Sequence, residues 1–298
     1  MLGYVKNNNI QLNYQTFGHH KDETIVLIAG LGSQMIHWNV AFCLQLAEQG
    51  FHVIRFDHRD VGLSTHLDHL AAPSFSDLVD AMTFGKNITI PYTLDDMVED
   101  TIGLLDALGI NQAHIIGRSM GGMIAQLLAS QYPQRVSSLT SIMSSTGNPN
   151  LPAAKADVMQ LLTQATPNPQ ADFDQYLSDK IKLAKRIASP AYPFDQEAMT
   201  ALFVEEYHRG YNPNGFKRHL TAIAAAGDLR ARITNITVPT LVIHGTDDVL
   251  IPIECGEDTA KTIASARFLA IEGMGHDIPS ALYPHIIAAF GQNLIKHV

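Results

Sequence analysis

Ala113-His114-Ile115-Ile116-Gly117-Arg118-Ser119-Met120-Gly121-Gly122 carries the most informative pattern in the chain. A short apolar run ends at Ile116, and a G-x-S-x-G pentapeptide with Ser119 at its centre follows. A helix is expected to begin near Met120. A serine that acts as a nucleophile has to stand on a sharp strand-to-helix turn, and small residues on both sides relieve the crowding there. The start of the helix also aims free N–H groups and the positive end of its dipole at the serine.

Outward from this turn, the chain alternates between strand and helix signals. Thr24–Ala29, Val53–Phe56 and Leu139–Met143 are nearly continuous apolar runs, as expected of strands buried on both faces. A helix is predicted to start at Thr93, which forms a capping box with Asp96. Leu94, Met97, Val98, Leu104, Leu105 and Leu108 follow at helical spacing, and Gly109 supplies a stop. Two alternating stretches, Gly3–Lys6 and Ile10–Phe17, predict an antiparallel pair at the start of the chain. The strand pattern returns at Pro239–His244 and Arg267–Ile271, and a last helix is expected from about Ala281 to Lys296. The fold class is therefore α/β, a mostly parallel, doubly wound sheet covered on both faces. Between Gly147 and Asn235 the alternation stops. Seven prolines punctuate that stretch, with helix-like segments at Asp172–Ile187 and Gln196–Arg209. We read residues 147–235 as an inserted helical cap, and 1–146 with 236–298 as the core domain.

A serine needs a base, and the base needs an orienting carboxylate. Both are available downstream. The run Thr240–His244 ends in Gly245-Thr246-Asp247-Asp248, which places a carboxylate just past a strand end, on the rim where open α/β sheets build their sites. Glu272-Gly273-Met274-Gly275-His276 then puts a histidine in a loop after the next strand.

These segments, with Ile28–Gly32 and Phe56–Ser64, resemble the α/β-hydrolase superfamily over essentially the whole chain. The Asp57-His58-Arg59-Asp60 stretch and the capped layout look most like small esterases of the aclacinomycin-type methylesterase branch. The resemblance implies Ser119 as nucleophile, His276 as base and then acid, and Asp248 as orienting carboxylate, because G-x-x-D with Pro252 four residues later is the family spacing. Some relatives carry the acid after the strand before the cap, but Ser144-Ser145-Thr146 offers no carboxylate there. An oxyanion requires two N–H donors. Met120 is expected to give one and Leu31 the other, although Ala29 stands where a histidine often precedes the first glycine of that loop.

Other readings fare worse. Gly30-x-Gly32 is no dinucleotide fingerprint, since Met35 holds the third glycine position. Asp57-His58-Arg59-Asp60 reads as a hydrogen-bonded turn bracing a strand end. The fourteen histidines show no metal-binding spacing, and most are expected at the surface. Cys43 and Cys255 read as packing residues. A net charge of −9 argues against nucleic acid or an anionic membrane surface as partner, and no signal peptide or membrane span is visible, so the expected setting is the cytoplasm. His37 is a candidate pocket residue, and the apolar and aromatic cap, with Phe173, Tyr176, Tyr207 and Tyr211, implies a mostly apolar space above Ser119. The expectation is thus acyl transfer from a small-molecule ester to water, with no cofactor and no metal. Apolar esters of small to medium size are expected, methyl esters of a bulky acid among them by resemblance. Thioesters, lactones, amides, peracid formation and carbon–carbon cleavage share the same residues, and a low-turnover receptor on a hydrolase fold is the rival from another class. The oligomeric state is not legible.

Overall fold

A computed structural model describes every residue except 8, 85, 165, 166 and 296–298. The expected end of the last helix, Lys296, lies outside the described residues. Eight strands form one sheet: β1 (Leu2–Asn7), β2 (Ile10–Phe17), β3 (Glu23–Ile28), β4 (Phe51–Phe56), β5 (Ala113–Arg118), β6 (Val136–Ile142), β7 (Thr240–Gly245) and β8 (Ala266–Ile271). Their order across the sheet is β1-β2-β4-β3-β5-β6-β7-β8. β1 and β2 form the antiparallel pair, β2 meets β4 antiparallel, and all other neighbours run parallel. The expected mostly parallel, doubly wound sheet is what the chain builds.

Alternate residues of the central strands feed two cores, because successive side chains of a strand point to opposite faces. Val26, Ile28, Ile54, Phe56 and Ile115 pack under α3 (Leu94–Ala107) and α4 (Met120–Gln131). Ile25, Leu27, Val53 and Ile116 pack under α1 (Val40–Glu48) and the last helix. α3 starts as its sequence predicts, with Thr93 and Asp96 bonded reciprocally. It ends at Leu108, and Gly109 turns the chain at φ 67°.

Between β4 and α3 the chain makes an excursion that carries α2 (Phe75–Phe84). Its start carries a capping box: Ser74 Oγ accepts from Asp77 N–H at 3.2 Å, and Asp77 Oδ2 accepts from Ser74 N–H at 2.8 Å. Between β6 and β7 lie α5 (Ala156–Thr163), α6 (Phe173–Ile187), α7 (Gln196–Gly210), α8 (Pro213–Ala226) and the short α9 (Arg230–Ile233), with no strand among the described residues. α10 (Ile253–Thr262) and α11 (Tyr283–Ile295) complete the chain. No helix among the described residues is long and apolar enough to cross a membrane.

Candidate active site

Ser119 caps α4 with φ 54° and ψ −127°, a conformation that L-residues rarely adopt. Such a residue costs on the order of 1–3 kcal/mol and persists only where its surroundings enforce it. Here they do. The Ser119 N–H donates to Ile142 O at 2.9 Å, and its carbonyl accepts from Gly122 N–H at 2.8 Å and Ser144 Oγ at 2.7 Å. The turn is also so tight that a side chain at Gly117 would meet the Gly121 carbonyl at 2.1 Å. One at Gly121 would meet the Ile28 carbonyl at 2.3 Å. The glycines of the pentapeptide are there because backbone from β3, β5 and α4 converges on this point.

The three side chains expected from the sequence lie in one hydrogen-bonded chain. Ser119 Oγ donates to His276 Nε2 at 3.1 Å, and His276 Nδ1 donates to Asp248 Oδ2 at 2.7 Å. Asp248 Oδ1 accepts from the N–H groups of Leu250 at 2.9 Å and Ile251 at 2.8 Å. Burial alone would raise the Asp248 pKa. The opposed His276, the nearby His244 and the Ile251 N–H outweigh it and hold the carboxyl well below the usual carboxylate range. Asp247 is exposed and serves the loop instead, accepting from Thr246 Oγ1 and Gly273 N–H. Cys43 and Cys255 are buried free thiols, and burial pushes the Cys43 thiol up to about 12.

Met120 opens α4 directly after Ser119. The loop after β3 passes the other side, so close that a Cβ on Gly30 would lie 3.2 Å from Ser119 Cβ. Leu31 N–H and Met120 N–H have no acceptor among the described residues. Gly32, at φ 61°, turns this loop beneath Phe216 of α8.

Sequence reasoning missed what holds these groups. The segment after α6 clamps the histidine loop: His276 N–H donates to Ile187 O at 2.7 Å, Gly275 N–H to Ser189 Oγ at 2.9 Å, and Ser189 N–H to Asp277 at 2.8 Å. His244 supports the Asp248 loop from beneath by donating to Ile251 O at 2.8 Å. Asp57-His58-Arg59-Asp60 is wholly buried and joins four elements, as its reading as a bracing turn expects. Asp57 accepts from Met35 N–H at 2.7 Å and Arg209 of α7 at 2.8 Å. Arg59 pairs with Asp100 of α3 at 2.6 Å. Asp60 takes both Arg218 of α8 at 2.6 Å and Tyr92 Oη at 2.8 Å. Burial works against the Asp60 carboxylate, but these donors hold its pKa below the ordinary value.

Six of the fourteen histidines, more than a surface role for most of them suggests, lie in the interior. His52, His58, His114, His219, His244 and His276 are all buried. An imidazole can be buried when it stays neutral and its nitrogens find partners, which is how His114 sits between Ser138 and Glu23.

A cavity of about 720 Å3 lies among α6, α7, α8 and the segment before α2. It touches the loop after β3 at Gly32 and Gln34, but neither Ser119 nor His276 lines it. It is thus offset from the space expected above the serine, with Phe216 at its inner end. Tyr176, Tyr207 and Tyr211 form one wall, their rings 5.5 to 6.2 Å apart. The cavity is mostly apolar, as expected, but holds one charged cluster. Glu206 faces it, bonded to His37 Nε2 at 2.7 Å and 3.5 Å from Lys180 Nζ. Burial opposes the Glu206 charge, yet His37 and Lys180 beside it bring its pKa down to about 2. His37 therefore acts on the cavity through Glu206 rather than by lining it.

A family model described as alpha/beta hydrolase fold matches residues 23–279. The rhodomycin D methylesterase DnrP of Streptomyces peucetius is 25% identical over 303 residues, covering 96% of this chain and 95% of its own. An enol-lactonase from Burkholderia xenovorans superposes with a TM-score of 0.69 at 24% identity, covering 98% of this chain and 100% of its own. A meta-cleavage product hydrolase from Pseudomonas fluorescens does so with a TM-score of 0.72 at 19% identity, covering 99% and 98%. At these identities the two solved structures show the fold alone.

Proposed function

From the premise that the chain belongs to the alpha/beta hydrolase fold family, shown by the match over residues 23–279, we propose that it hydrolyses carboxylic esters through an acyl-enzyme on Ser119. The observation that carries the reading is the Ser119–His276–Asp248 chain of hydrogen bonds, set on a strained turn with unpaired N–H groups beside it. Ser119 Oγ attacks the ester carbonyl while His276 Nε2 takes its proton. Asp248 keeps the other imidazole proton on Nδ1 and balances the imidazolium that forms. Leu31 N–H and Met120 N–H receive the oxyanion, and removal of one such donor typically costs roughly 100- to 1000-fold in rate. His276 then returns the proton to the leaving alcohol. In the second half a water attacks the acyl group by the same route.

Residues 147–235 act in this reading as a cap over the core, supported by the run of helices between β6 and β7. The cavity beside the serine takes the larger part of the substrate, with Tyr176, Tyr207 and Tyr211 as its apolar wall. The likeness to a methylesterase favours a methyl ester of a bulky acid, in which the cavity holds the acyl part and the leaving group is small.

The test is hydrolysis of a ladder of p-nitrophenyl and methyl esters by wild type and Ser119→Ala, without added metal. Wild type should turn over, fastest with bulky apolar acyl groups, and Ser119→Ala should lose several orders of magnitude. Equal rates for the two proteins would end the acyl-enzyme reading. Fastest turnover on small charged esters would end the substrate reading alone.

A further inference from the structure

His219 is fully buried on α8, in the segment inserted between β6 and β7, yet its ring reaches back to the loop beside Ser119. Gly32 N–H donates to its Nδ1 at 3.2 Å. Because Nδ1 accepts, the ring proton sits on Nε2, which donates to Arg59 O at 2.9 Å. Both nitrogens are used, and the tautomer is fixed. The start of the same loop is held by a second buried imidazole, since His58 Nε2 donates to Ala29 O at 3.1 Å. The two rings meet edge to face at 5.8 Å. One histidine thus fixes each end of the segment that carries Leu31.

We infer that His219 is a positioning residue for the hydrolysis, holding Gly32 so that the Leu31 N–H stays aimed at the oxyanion. This rests on the reading of Ser119 as the nucleophile. Gly32 sits at φ 61°, a conformation open to glycine, so its peptide can rotate unless something fixes it. The acceptor on His219 is the group that fixes the Gly32 N–H. Loss of that acceptor leaves Leu31 in place on average but free to turn, which weakens the transition state more than the bound substrate.

The ring faces His58, Arg59 and Asp60 of the turn after β4, Tyr92 before α3, and Arg218 of its own helix. Burial dominates among them and brings the His219 pKa down to about 4. The acceptor is therefore present throughout the neutral range, and His219 adds no break to the pH profile there.

Two substitutions divide the ring's two hydrogen bonds. His219→Asn puts an amide oxygen where Nδ1 stands and gives up Arg59 O. His219→Gln reaches Arg59 O with its amide nitrogen and gives up Gly32 N–H. Both are polar and of similar size, so their melting temperatures should fall together. We expect His219→Asn to keep kcat within about threefold of wild type, and His219→Gln to lose roughly 10- to 100-fold in kcat with KM changed less than about threefold. A trifluoromethyl ketone, which places an oxyanion in the site once Ser119 adds to it, should bind His219→Gln more weakly by the same factor. Equal kcat for the two variants, the reverse order, or a kcat loss without weaker inhibitor binding would overturn the assignment. An inactive wild type would instead overturn the reading of Ser119, so the two failures are distinguishable.

Discussion

Replacement of Asp248 by asparagine should disable the enzyme by fixing the wrong tautomer of His276 while leaving the shape of the site intact. Asp248 Oδ1 accepts two backbone N–H bonds, from Leu250 at 2.9 Å and Ile251 at 2.8 Å. In Asp248→Asn the amide oxygen must stay there. The opposite rotamer would set an NH2 against two N–H donors and orphan both, at about 1–3 kcal/mol each. The NH2 therefore takes the Oδ2 position, 2.7 Å from His276 Nδ1 in the parent, and donates to it. His276 then carries its proton on Nε2 and cannot take one from Ser119. The two orphaned donors together cost about 2–6 kcal/mol, so the working arrangement is populated at roughly one part in 30 to one in 25,000. We expect kcat to fall about 10^3- to 10^4-fold, which is about 4–5.5 kcal/mol of barrier, with KM little changed. The assay is p-nitrophenyl ester hydrolysis, paired with 15N NMR of the imidazole to read the tautomer. Asp247→Asn is the control and should stay within about threefold, because the exposed Asp247 accepts only from Thr246 Oγ1 and Gly273 N–H and touches neither His276 nor Ser119. Retention of more than a tenth of kcat by Asp248→Asn would refute this reasoning, and so would an equal loss in Asp247→Asn.

Two further outcomes test the frame around the site. Arg218→Met should destabilise the protein by about 3–5 kcal/mol in urea unfolding, because it leaves Asp60 buried without its partner. Adding Asp60→Asn should recover part of that loss, since asparagine carries no charge and tolerates the φ of 68° found there. Glu206 has a folded pKa of about 2, below its unfolded value. Its contribution is therefore fully present above about pH 4.3 and is lost as pH falls towards 2. Unfolding curves of wild type and Glu206→Gln should differ by on the order of 3 kcal/mol near neutrality and converge between those two pH values. A difference that does not shrink would show that Glu206 acts through packing alone.

Much of this arrangement is legible in the sequence, and the reason is local. β3 and β4 are buried on both faces, so their apolar runs are nearly continuous, and Thr93, Asp96 and Gly109 mark α3 by contacts within a few residues of one another. Ser119, Asp248 and His276 stand out because each occupies a turn at a strand end, in a fixed chain order. β6 begins at Val136, earlier than its apolar run, because Ser138 is buried and bonded to His114, which hydropathy cannot anticipate. The excursion with α2 opens on a local signal, the Ser74–Asp77 capping box, but that short S-x-x-D pattern stands without an apolar run like those that mark the strands. The supports of the site are silent for a different reason. Ser189 reaches Gly275 across 86 residues, and His219 reaches Gly32 across 187. Neither contact leaves any spacing pattern behind, and a buried neutral histidine looks the same in sequence as a solvated one.

Those long contacts also bear on how a substrate reaches Ser119. An opening motion that lifted α8 would separate Arg218 from Asp60, a fully buried pair, at about 3–5 kcal/mol before any apolar surface is counted. It would also break the Gly32–His219 hydrogen bond that steadies the loop beside the serine. The ion pair between α5 and α6, Asp157 with Arg186, is exposed, and such pairs are worth about 1 kcal/mol or less. Leu161 and Leu162 of α5 line the cavity, as do Pro73 and Phe75 at the start of the α2 excursion. The α5 edge of the cavity is therefore the cheaper place to part. Under the proposed ester hydrolysis, opening there would admit a bulky acyl group to the cavity while α8 kept the loop after β3 in place, so access and catalysis would place their demands on different parts of the same insertion.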